Sequence, residues 1–490
     1  MKLKALAEKY PQLKFINQRE DLDLQWISEN SNLIPEDPWI FVARKGQRSN
    51  GWNFAEEAIR KGAKAILSDI QPEKSYPVPV LICESLVDFL PDFFPFFYDY
   101  PEHKMSVIGV TGTNGKTTTT YLLENVLKNS ARLGTTNIRV NDELFPTSNT
   151  TPDLSTIYYY LNLAARRGVT HFIMETTSHA IKMGRLGCLE FDALIFTNLG
   201  RDHLDYHLTL EDYEATKISL FTSSLSYQRK KCMYFLNTDD STGKKIHSLL
   251  CSAGRKPCSC SLIDQQADFY AQIVELSLSG SRFLIGGHLY AIPLLGEYNV
   301  FNSLLAIACC LKLDISPETV FSNLKNFQGV PGRIEKVAQA VDKNIIIDYA
   351  HTPEGLQNVL ATLRELIPGE KLYLVFGCGG NRDRGKRAEM AKIAAAYSDF
   401  VIVTDDNPRF EEPQIITSEI VDGFPAEFRS FLVKQPRKEA IRFSLSLLKG
   451  RDILLVAGKG HENYQEIKGV RYPYSDLETI NCFLNSNEAK

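Results

Sequence analysis

The segment MSVIGVTGTNGKTTTTYLLENVLKN, residues 105–129, gives the strongest indication of the fold and of a phosphate-binding function. An apolar run leads into a loop with three glycines, and a helical pattern follows. Backbone N–H groups in such a loop, together with the helix N-terminus, attract phosphate. Lys116 is expected to reach β- and γ-phosphates and Thr117 to ligate magnesium. The strict phosphate-loop pattern is not met, because Val110 stands five positions before Gly115, so a glycine-rich turn that caps a helix is the alternative.

Short apolar runs that end in glycine or polar residues recur along the chain. They are WIFVAR from 39, THFIMETTSHA from 170, ALIFTNLGRDHLD from 193, NIIIDYAHTP from 344, KLYLVFGCGG from 371, DFVIVTDDNPR from 399 and DILLVAGKGHE from 452. Runs without alternation are typical of strands that are buried on both faces. Their alternation with helical patterns predicts an α/β fold with parallel sheets, in which ligands bind beyond the carboxyl ends of the strands.

The length of 490 residues suggests about three domains. A proline-containing aromatic segment near 90–104 and the segment FQGVPGR, which ends at Arg333, are the expected boundaries. We therefore predict domains at 1–103, 104–331 and 332–490.

The balance of charges excludes some classes of partner. Lys and Arg number 55 against 59 Asp and Glu, for a net charge of −4, which gives no overall basic field for nucleic acid. No signal peptide and no apolar run of membrane-spanning length is visible. The ten cysteines match no zinc pattern. We expect a cytoplasmic monomer without nucleic-acid binding or membrane insertion.

Two polar clusters follow apolar runs downstream of the loop. METTSHAIKMGR contains Glu175, Ser178 and Arg185, and NLGRDHLDYH contains His203. Carboxylates and imidazoles at strand ends suit magnesium and phosphate better than a structural zinc site. Taken singly, each of these residues has an ordinary alternative as a hydrogen-bonded surface or core side chain. The same holds for Lys217 in YEATK, which composition alone would place in solvent.

These motifs resemble those of the Mur ligases, the ATP-dependent amide-forming enzymes of peptidoglycan precursor synthesis. The resemblance rests on TGTNGKTT, ETTSHA, TNLGRDHLDYH, YEATK, GEYNVFNSLLAIA, VPGR, DYAHTP, GCGGNRDRGKR and GKGHE, and it extends from about Ser31 to Gln465. NTTPD at 149–153, GKGHENYQ and DDNPR at 405–409 are similar to the branch that adds meso-diaminopimelate.

The resemblance implies three domains: a first for the UDP end of the substrate, a central phosphate-loop ATPase-like parallel sheet, and a C-terminal Rossmann-like sheet for the amino acid. It implies that ATP phosphorylates the γ-carboxylate of UDP-N-acetylmuramoyl-L-alanyl-D-glutamate, with Mg²⁺ as cofactor. The amine of diaminopimelate then attacks the acyl phosphate, and ADP and phosphate are released.

The resemblance also implies roles for individual residues. ATP would be bound by Gly112, Thr113, Asn114, Gly115, Lys116, Thr117, Thr118, Asn299, Asn302, Arg333, Asp348 and His351. The UDP substrate would contact Ser31, Asn149, Thr150, Thr151, Ser178 and Arg185. Magnesium would be held by Thr117, Glu175, His203 and Lys217 as a carbamate (N6-carboxylysine), and Lys116, Lys217, His203 and Glu175 would be catalytic. Diaminopimelate would be bound by Arg382, Asp406, Asn407, Pro408, Arg409, Gly458 and Glu462.

Three positions depart from the family pattern. Met183 stands where a glutamine usually precedes Arg185, so that contact is expected to be missing or supplied elsewhere. Asn30 and Asn32 replace the usual aspartate and arginine beside Ser31.

The charge of the far end of the amino acid favours diaminopimelate over lysine. Arg409 can bind the far carboxylate bidentately, while Glu462 and Asp406 can take the ammonium group. Lysine would leave Arg409 unpaired, at a cost of about 1–3 kcal/mol. The alternatives are a lysine-adding ligase, a folate polyglutamate ligase, a phosphate-loop switch or motor, and an inactive binding protein. For DDNPR itself, a plain turn is the alternative, because Asp-Asn-Pro is good turn chemistry.

Overall fold

The computed structural model describes residues 1–17, 21–30, 38–45, 50–147, 149–227, 231–337, 340 and 343–488. The chain forms two compact units. The first comprises Met1–Thr111, Leu127–Ile195 and Thr216–Tyr234, and the second comprises Gly112–Val126, Phe196–Ala215 and Phe235–Lys490. The three-domain division stays a prediction.

The elements up to residue 207 are α1 (Leu3–Lys9), β1 (Lys14–Ile16), β2 (Trp26–Ser28), β3 (Trp39–Val42), α2 (Ala55–Arg60), β4 (Ala63–Ser68), β5 (Val80–Ile82), α3 (Leu86–Phe97), β6 (Ser106–Thr111), α4 (Lys116–Val126), β7 (Ser130–Leu133), β8 (Ile138–Val140), β9 (Glu143–Phe145), α5 (Leu154–Arg166), β10 (His171–Glu175), α6 (Ser178–Lys182), β11 (Ala193–Phe196) and α7 (Leu204–His207). Short 3₁₀ helices lie at Gly51–Phe54 and Pro101–Lys104.

The elements that follow are α8 (Leu210–Tyr227), β12 (Met233–Asn237), α9 (Ser241–Ser252), β13 (Cys258–Ser261), β14 (Phe269–Ser277), β15 (Gly280–Ile285), β16 (His288–Ile292), α10 (Glu297–Lys312), α11 (Pro317–Lys325), β17 (Glu335–Lys336), β18 (Asn344–Asp348), α12 (Pro353–Leu366), β19 (Leu372–Phe376), α13 (Gly385–Tyr397), β20 (Phe400–Val403), α14 (Pro413–Val421), β21 (Phe431–Val433), α15 (Arg437–Leu447), β22 (Ile453–Ala457), β23 (Tyr464–Ile467), β24 (Val470–Pro473) and α16 (Asp476–Glu488).

The first unit contains two groups of paired strands. One is a sheet in the order β1-β5-β4-β3-β2, in which only the edge strand β1 is antiparallel. In the other, β6, β10 and β7 are parallel, and β8 and β9 continue antiparallel from β7. The parallel strands are apolar and almost fully buried, as the runs without alternation predict.

The second unit contains the sheet β17-β18-β22-β19-β20-β21, which is parallel except for the edge strand β17. Its strands β18, β19, β20 and β22 come from the apolar runs quoted above. Residues 235–237 pair in parallel with β13, β13 pairs in parallel with β14, and β14, β15 and β16 form an antiparallel meander. The predicted α/β class with parallel sheets is confirmed.

Two details differ from the sequence pattern. The aromatic segment expected at a domain boundary forms most of α3, whose Phe93, Phe94 and Phe97 are buried in spite of two prolines inside the helix. The helix-like stretch NFAEEAIRKGAKA, residues 53–65, is helical only up to the end of α2 at Arg60, and β4 begins at Ala63.

Candidate functional site

The phosphate loop connects β6 to α4, and its backbone conformation depends on glycine. Gly115 has φ +84°, and a Cβ at this position would lie 2.2 Å from Oδ1 of Asn302 on α10. Gly112 has φ +150°, and a Cβ there would lie 1.8 Å from Oγ1 of Thr197. The loop is therefore packed on both sides, and no larger residue fits without displacing a neighbour.

The segment that follows β11 supports the loop. The backbone N–H of Asn114 donates to Oδ1 of Asn198 at 2.9 Å, and Oγ1 of Thr197 donates to the Asn114 carbonyl at 2.6 Å. Thr113 N donates to the Asn198 carbonyl at 2.9 Å, and Oγ1 of Thr113 lies 3.2 Å from the hydroxyl of Tyr213. These contacts fix the loop before any ligand enters.

Lys116, Thr117 and Thr118 form the first turn of α4. Nζ of Lys116 donates to the carbonyls of Gly112 and Thr113, each at 2.8 Å. The two threonines are buried. The ammonium group thus lies over the loop where a bound phosphate would carry its charge.

Asn299 and Asn302 lie one turn apart on the inner face of α10. Nδ2 of Asn302 donates to Oδ1 of Asn299 at 3.2 Å, and Nδ2 of Asn299 donates to the Leu295 carbonyl at 2.9 Å. Both are buried. The structure places Asn302 directly against Gly115 of the loop.

Histidines and a lysine of the second unit surround Asp202. Its Oδ1 accepts the backbone N–H of His203 at 2.8 Å, and its Oδ2 lies 3.4 Å from Nε2 of the same histidine. Burial opposes the charge of Asp202, but His203, His351 and Lys116 hold its pKa below the usual range. The predicted residues His203, Lys116 and His351 therefore share one electrostatic neighbourhood.

Asp348, at the end of β18, is buried and accepts two backbone N–H groups, those of Ile334 and Ala350, each at 2.7 Å. Burial raises its pKa even though the Arg333 guanidinium opposes the shift. Arg333 lies 4.8 Å above the ring of Tyr349. These contacts join the end of β18 to Arg333 and Ile334.

In the first unit, Glu175 ends β10 and is fully buried. Its Oε1 accepts a hydrogen bond from the backbone N–H of Thr135 at 2.8 Å, and its Oε2 accepts one from the Oγ1 hydroxyl of Thr135 at 3.1 Å. That hydroxyl is in turn 3.1 Å from Oγ1 of Thr150. The carboxylate is therefore oriented by the chain, as a metal ligand needs to be.

Thr151 and Arg185 join the same polar region. Oγ1 of Thr151 donates to the Glu175 carbonyl at 2.8 Å, and Nη1 of Arg185 donates to the Thr151 carbonyl at 3.0 Å. Nη2 of Arg185 lies 3.2 Å from the sulfur of Met183, so the departure at that position still contacts the arginine.

The other predicted residues of the first unit differ in their burial. Asn149 is exposed and its carbonyl accepts Oγ1 of Thr147 at 2.6 Å, whereas Ser178 is buried at the start of α6. Lys217 on α8 is buried, with 1% exposure. A buried lysine needs a compensating anion or conversion to another charge state. Ser31 and Asn32 lie outside the described residues.

The predicted amino-acid site gathers at the carboxyl ends of β20 and β22. Nδ2 of Asn407 donates to Oε2 of Glu462 at 2.9 Å, and the backbone N–H of Glu466 donates to Oδ1 of Asn407 at 2.9 Å. Asp406 is buried beside them. Burial opposes its charge, but Lys459 and Arg437 hold its pKa below the usual range.

Arg409 has φ +52° and is one-fifth exposed. Its Nη1 donates to the Gly380 carbonyl at 2.9 Å, and its Nε lies 3.5 Å from Oε2 of Glu466. Within the described part of the chain, its Nη2 has no hydrogen-bond partner. One edge of the guanidinium therefore stays available to a carboxylate.

The remaining predicted residues border this site. The carbonyl of Pro408 accepts the backbone N–H of Glu411 at 3.0 Å, and the backbone N–H of Gly458 donates to the Asp348 carbonyl at 3.0 Å. Arg382 is exposed, next to the loop that Arg409 contacts.

Sequence reasoning missed three buried charged residues in the second unit. Lys459 donates to both Asn407 and Glu462. Arg437 pairs with Asp476 through two bonds of 2.8 Å, and Arg387 binds Glu411 and Glu419. Lys459 belongs to GKGHE, so that motif was the available signal, whereas nothing local distinguishes the other two from surface arginines.

The predicted magnesium ligands include types of donor atom that suit a hard cation, but the described residues show no cluster of metal-binding side chains. No group of three or more His, Cys, Asp or Glu side chains that could hold a metal occurs among the residues that the structure describes. The predicted set contains two such side chains, Glu175 and His203. Its other members are the hydroxyl of Thr117 and Lys217, which could act as a ligand only as a carbamate. In the same described ranges, no helix has the length and apolar character needed to span a bilayer.

A phosphate loop that opens a helix and a parallel sheet with charged groups at its carboxyl end define a nucleotide-dependent α/β enzyme. The sequence profile of the Mur ligase middle domain matches residues 110–310, and that of the Mur ligase glutamate ligase domain matches residues 332–460. The chain belongs to the Mur ligase family, and it is an ATP-dependent ligase that forms a carbon–nitrogen bond.

Individual relatives agree with this assignment. The chain is 38% identical over 487 residues to the UDP-N-acetylmuramoyl-L-alanyl-D-glutamate–2,6-diaminopimelate ligase of Aquifex aeolicus, covering 98% of this chain and 96% of the relative. It is 36% identical over 467 residues to the ligase of the same name from Syntrophomonas wolfei, covering 93% and 94%. A solved structure of a ligase of this name has a TM-score of 0.65 at 30% identity, covering 96% and 97%.

Proposed function

We propose that the chain joins meso-diaminopimelate to the γ-carboxylate of UDP-N-acetylmuramoyl-L-alanyl-D-glutamate, at the expense of ATP, in peptidoglycan precursor synthesis. The observation that carries the proposal is the partly buried charged site around Asn407, Arg409 and Glu462. The names of the relatives support the same substrates.

The phosphate loop fits the nucleotide. Its N–H groups and the N-terminus of α4 attract the phosphates, and Lys116 neutralises charge between the nucleotide and the anionic acceptor. Asn299, Asn302, Arg333, Asp348 and His351 are proposed to complete the nucleotide site.

When bound, ATP with Mg²⁺ supplies a phosphoryl group that converts the carboxylate into an acyl phosphate. Thr117, Glu175, His203 and Lys217, the last as its carbamate, are proposed to hold the cation. A carbamate replaces an ammonium with an anion, which gives the buried Lys217 the charge of a metal ligand.

The residues of the first unit are proposed to orient the dipeptide end of the UDP substrate. Thr150, Thr151 and Arg185 lie in one hydrogen-bonded chain with Glu175. Asn149, Ser178 and, outside the described residues, Ser31 are proposed to bind the remainder of the UDP substrate.

Because the reaction consumes ATP, we propose that it takes place in the cytoplasm, and we propose that the chain acts as a monomer.

The amino acid is selected by charge at both of its ends. Arg409 and Arg382 are proposed to take carboxylates, while Glu462 and Asp406 take an ammonium group. Lysine lacks the second carboxylate, and the unmet edge of the Arg409 guanidinium would cost about 1–3 kcal/mol, or about fivefold to 150-fold in kcat/KM.

Phosphate release with the UDP-muramoyl dipeptide and a panel of amino acids tests the proposal. We expect release only when the dipeptide and meso-diaminopimelate are both present. A preference for lysine would make the chain a lysine-adding ligase. Steady release without the dipeptide would instead support a phosphate-loop switch, and release with folate and glutamate would support the folate branch.

A further inference from the structure

Lys459 is a fully buried lysine directly after β22, and the nucleotide chemistry described above does not use it. Its Nζ donates to Oδ1 of Asn407 at 3.0 Å and to Oε2 of Glu462 at 2.8 Å. Nδ2 of Asn407 donates to the same Oε2 at 2.9 Å. The three side chains thus form a closed hydrogen-bonded triangle, which we call the Lys459 triangle.

The Lys459 triangle determines which atom of Glu462 faces a ligand. Its Oε2 already accepts two donors, whereas its Oε1 makes no hydrogen bond to any residue that the structure describes. The carboxylate side chain is only 15% exposed. The arrangement therefore leaves one oriented acceptor for an incoming ammonium group.

Charge balance points the same way. The buried carboxylate of Asp406 and the partly buried carboxylate of Glu462 lie close to Lys459, and the ring of Tyr464 lies 5.5 Å from Nζ. Without the cation, both carboxylates would have less compensation for their charge, which is costly. Among the described residues, the ammonium group of Lys459 donates only to side chains of the amino-acid site.

We propose that Lys459 is a positioning residue for the amino-acid site, which holds the carboxylate of Glu462 oriented toward the ammonium group of the incoming diaminopimelate. The proposal rests on the proposed function, because it takes that amino acid as the ligand of Glu462. Lys459 itself does not contact the substrate.

Several groups lie around the two carboxylates. Lys459, Asn407, Tyr464 and Tyr349 face Glu462, whereas Arg437 and His351 act on Asp406 in addition to Lys459. Removal of the lysine leaves Asn407 as the remaining donor to Oε2 of Glu462, so the carboxylate is held less firmly and the ammonium group of diaminopimelate should bind more weakly.

The test compares Lys459→Met with Lys459→Arg, and with Lys392→Met, the same substitution at an exposed position of α13. KM for diaminopimelate and KM for ATP are measured for each variant, together with its thermal melting. We expect KM for diaminopimelate to rise about tenfold or more in Lys459→Met, with KM for ATP within about twofold. Lys459→Arg should restore part of the loss, and Lys392→Met should match the parent chain.

A double variant guards against a simple folding defect. Lys459→Met combined with Glu462→Gln removes both charges of the pair, so it should fold, and its penalty should be smaller than the product of the two single penalties. A double-variant penalty equal to the product of the two single penalties, no recovery in Lys459→Arg, or equal increases in both KM values would overturn the proposal. If the parent chain does not use diaminopimelate at all, the proposed function fails first, and that result is visible before any variant is made.

Discussion

Replacement of Gly115 by alanine tests the packing of the phosphate loop. The residue has φ +84°, and the added Cβ would lie 2.2 Å from Oδ1 of Asn302. Asn302 is buried and donates a hydrogen bond to the side chain of Asn299, which in turn donates one to the carbonyl of Leu295. The neighbour therefore cannot move without breaking this chain of hydrogen bonds.

The magnitude has two parts. A left-handed backbone costs an alanine about 1–2 kcal/mol, and overpacking against Asn302 costs about 1–3 kcal/mol more. Gly369 is the matched control, because it has φ +89° and a Cβ added there would meet no atom within 4 Å. Gly369→Ala should show only the first cost, so the difference between the two variants isolates the contact with Asn302.

The assay is the thermal midpoint together with KM for ATP. Gly115→Ala should melt several degrees below Gly369→Ala, at about 2–4 °C per kcal/mol, and only Gly115→Ala should weaken ATP use. Adding Asn302→Ala should reduce the melting penalty of Gly115→Ala, since the two residues are in contact. Equal melting points and an unchanged KM for ATP would refute the reasoning.

Three further predictions use other parts of the chain. Lys217→Ala should lower activity by at least about a hundredfold, with partial recovery on adding short carboxylic acids; activity equal to the parent chain would exclude the carbamate. Arg409→Glu should raise KM for diaminopimelate by about tenfold or more and KM for ATP much less; equal increases would mean that the site is wrongly assigned. Burial and then Asp153 raise the pKa of Glu29 from 4.5 to about 7, against the opposing effect of Arg44, so the folded state loses stability as pH rises from about 4.5 to 7. Glu29→Gln should therefore raise the melting temperature at pH 8 but not at pH 4, and an equal gain at both pH values would contradict the shift.

The sequence predicted the central parallel strands of the second unit because each is apolar and almost fully buried. The runs NIIID, LYLVF and ILLVA can be recognised without knowing which strands they pair with, because a continuous apolar run of this length is typical of a buried strand. The phosphate loop was recognised for a similar reason, because its chemistry lies within about ten consecutive residues. Its support was not predictable, because Asn198 and Asn302 reach the loop from positions about 80 and 190 residues away.

Buried charges show the same limit. In the sequence, Lys459 stands between two glycines and resembles an ordinary solvated lysine. Only the structure shows that its side chain is buried. A local pattern carries no information on which charges a fold removes from solvent, since burial depends on distant segments. For this reason the motif GKGHE predicted Glu462 as a ligand but not the lysine that orients it.

The segment DDNPR shows how distant backbone contacts hold a residue that is proposed to bind the amino acid; its Asp-Asn-Pro forms only a bend at Asp406. Asp-Asn-Pro predicts a turn, and Arg409 at its end adopts φ +52°, at a cost of about 1–2 kcal/mol. Two backbone hydrogen bonds offset that cost: Arg409 N donates to the Glu466 carbonyl at 3.0 Å, and Lys468 N donates to the Arg409 carbonyl at 2.7 Å. The partners belong to β23 and the residue after it, the hairpin strand that follows GKGHE. The segment after Glu462 therefore helps to hold the arginine, and the two motifs that are proposed to bind opposite charges of one amino acid are joined by backbone as well as by side chains.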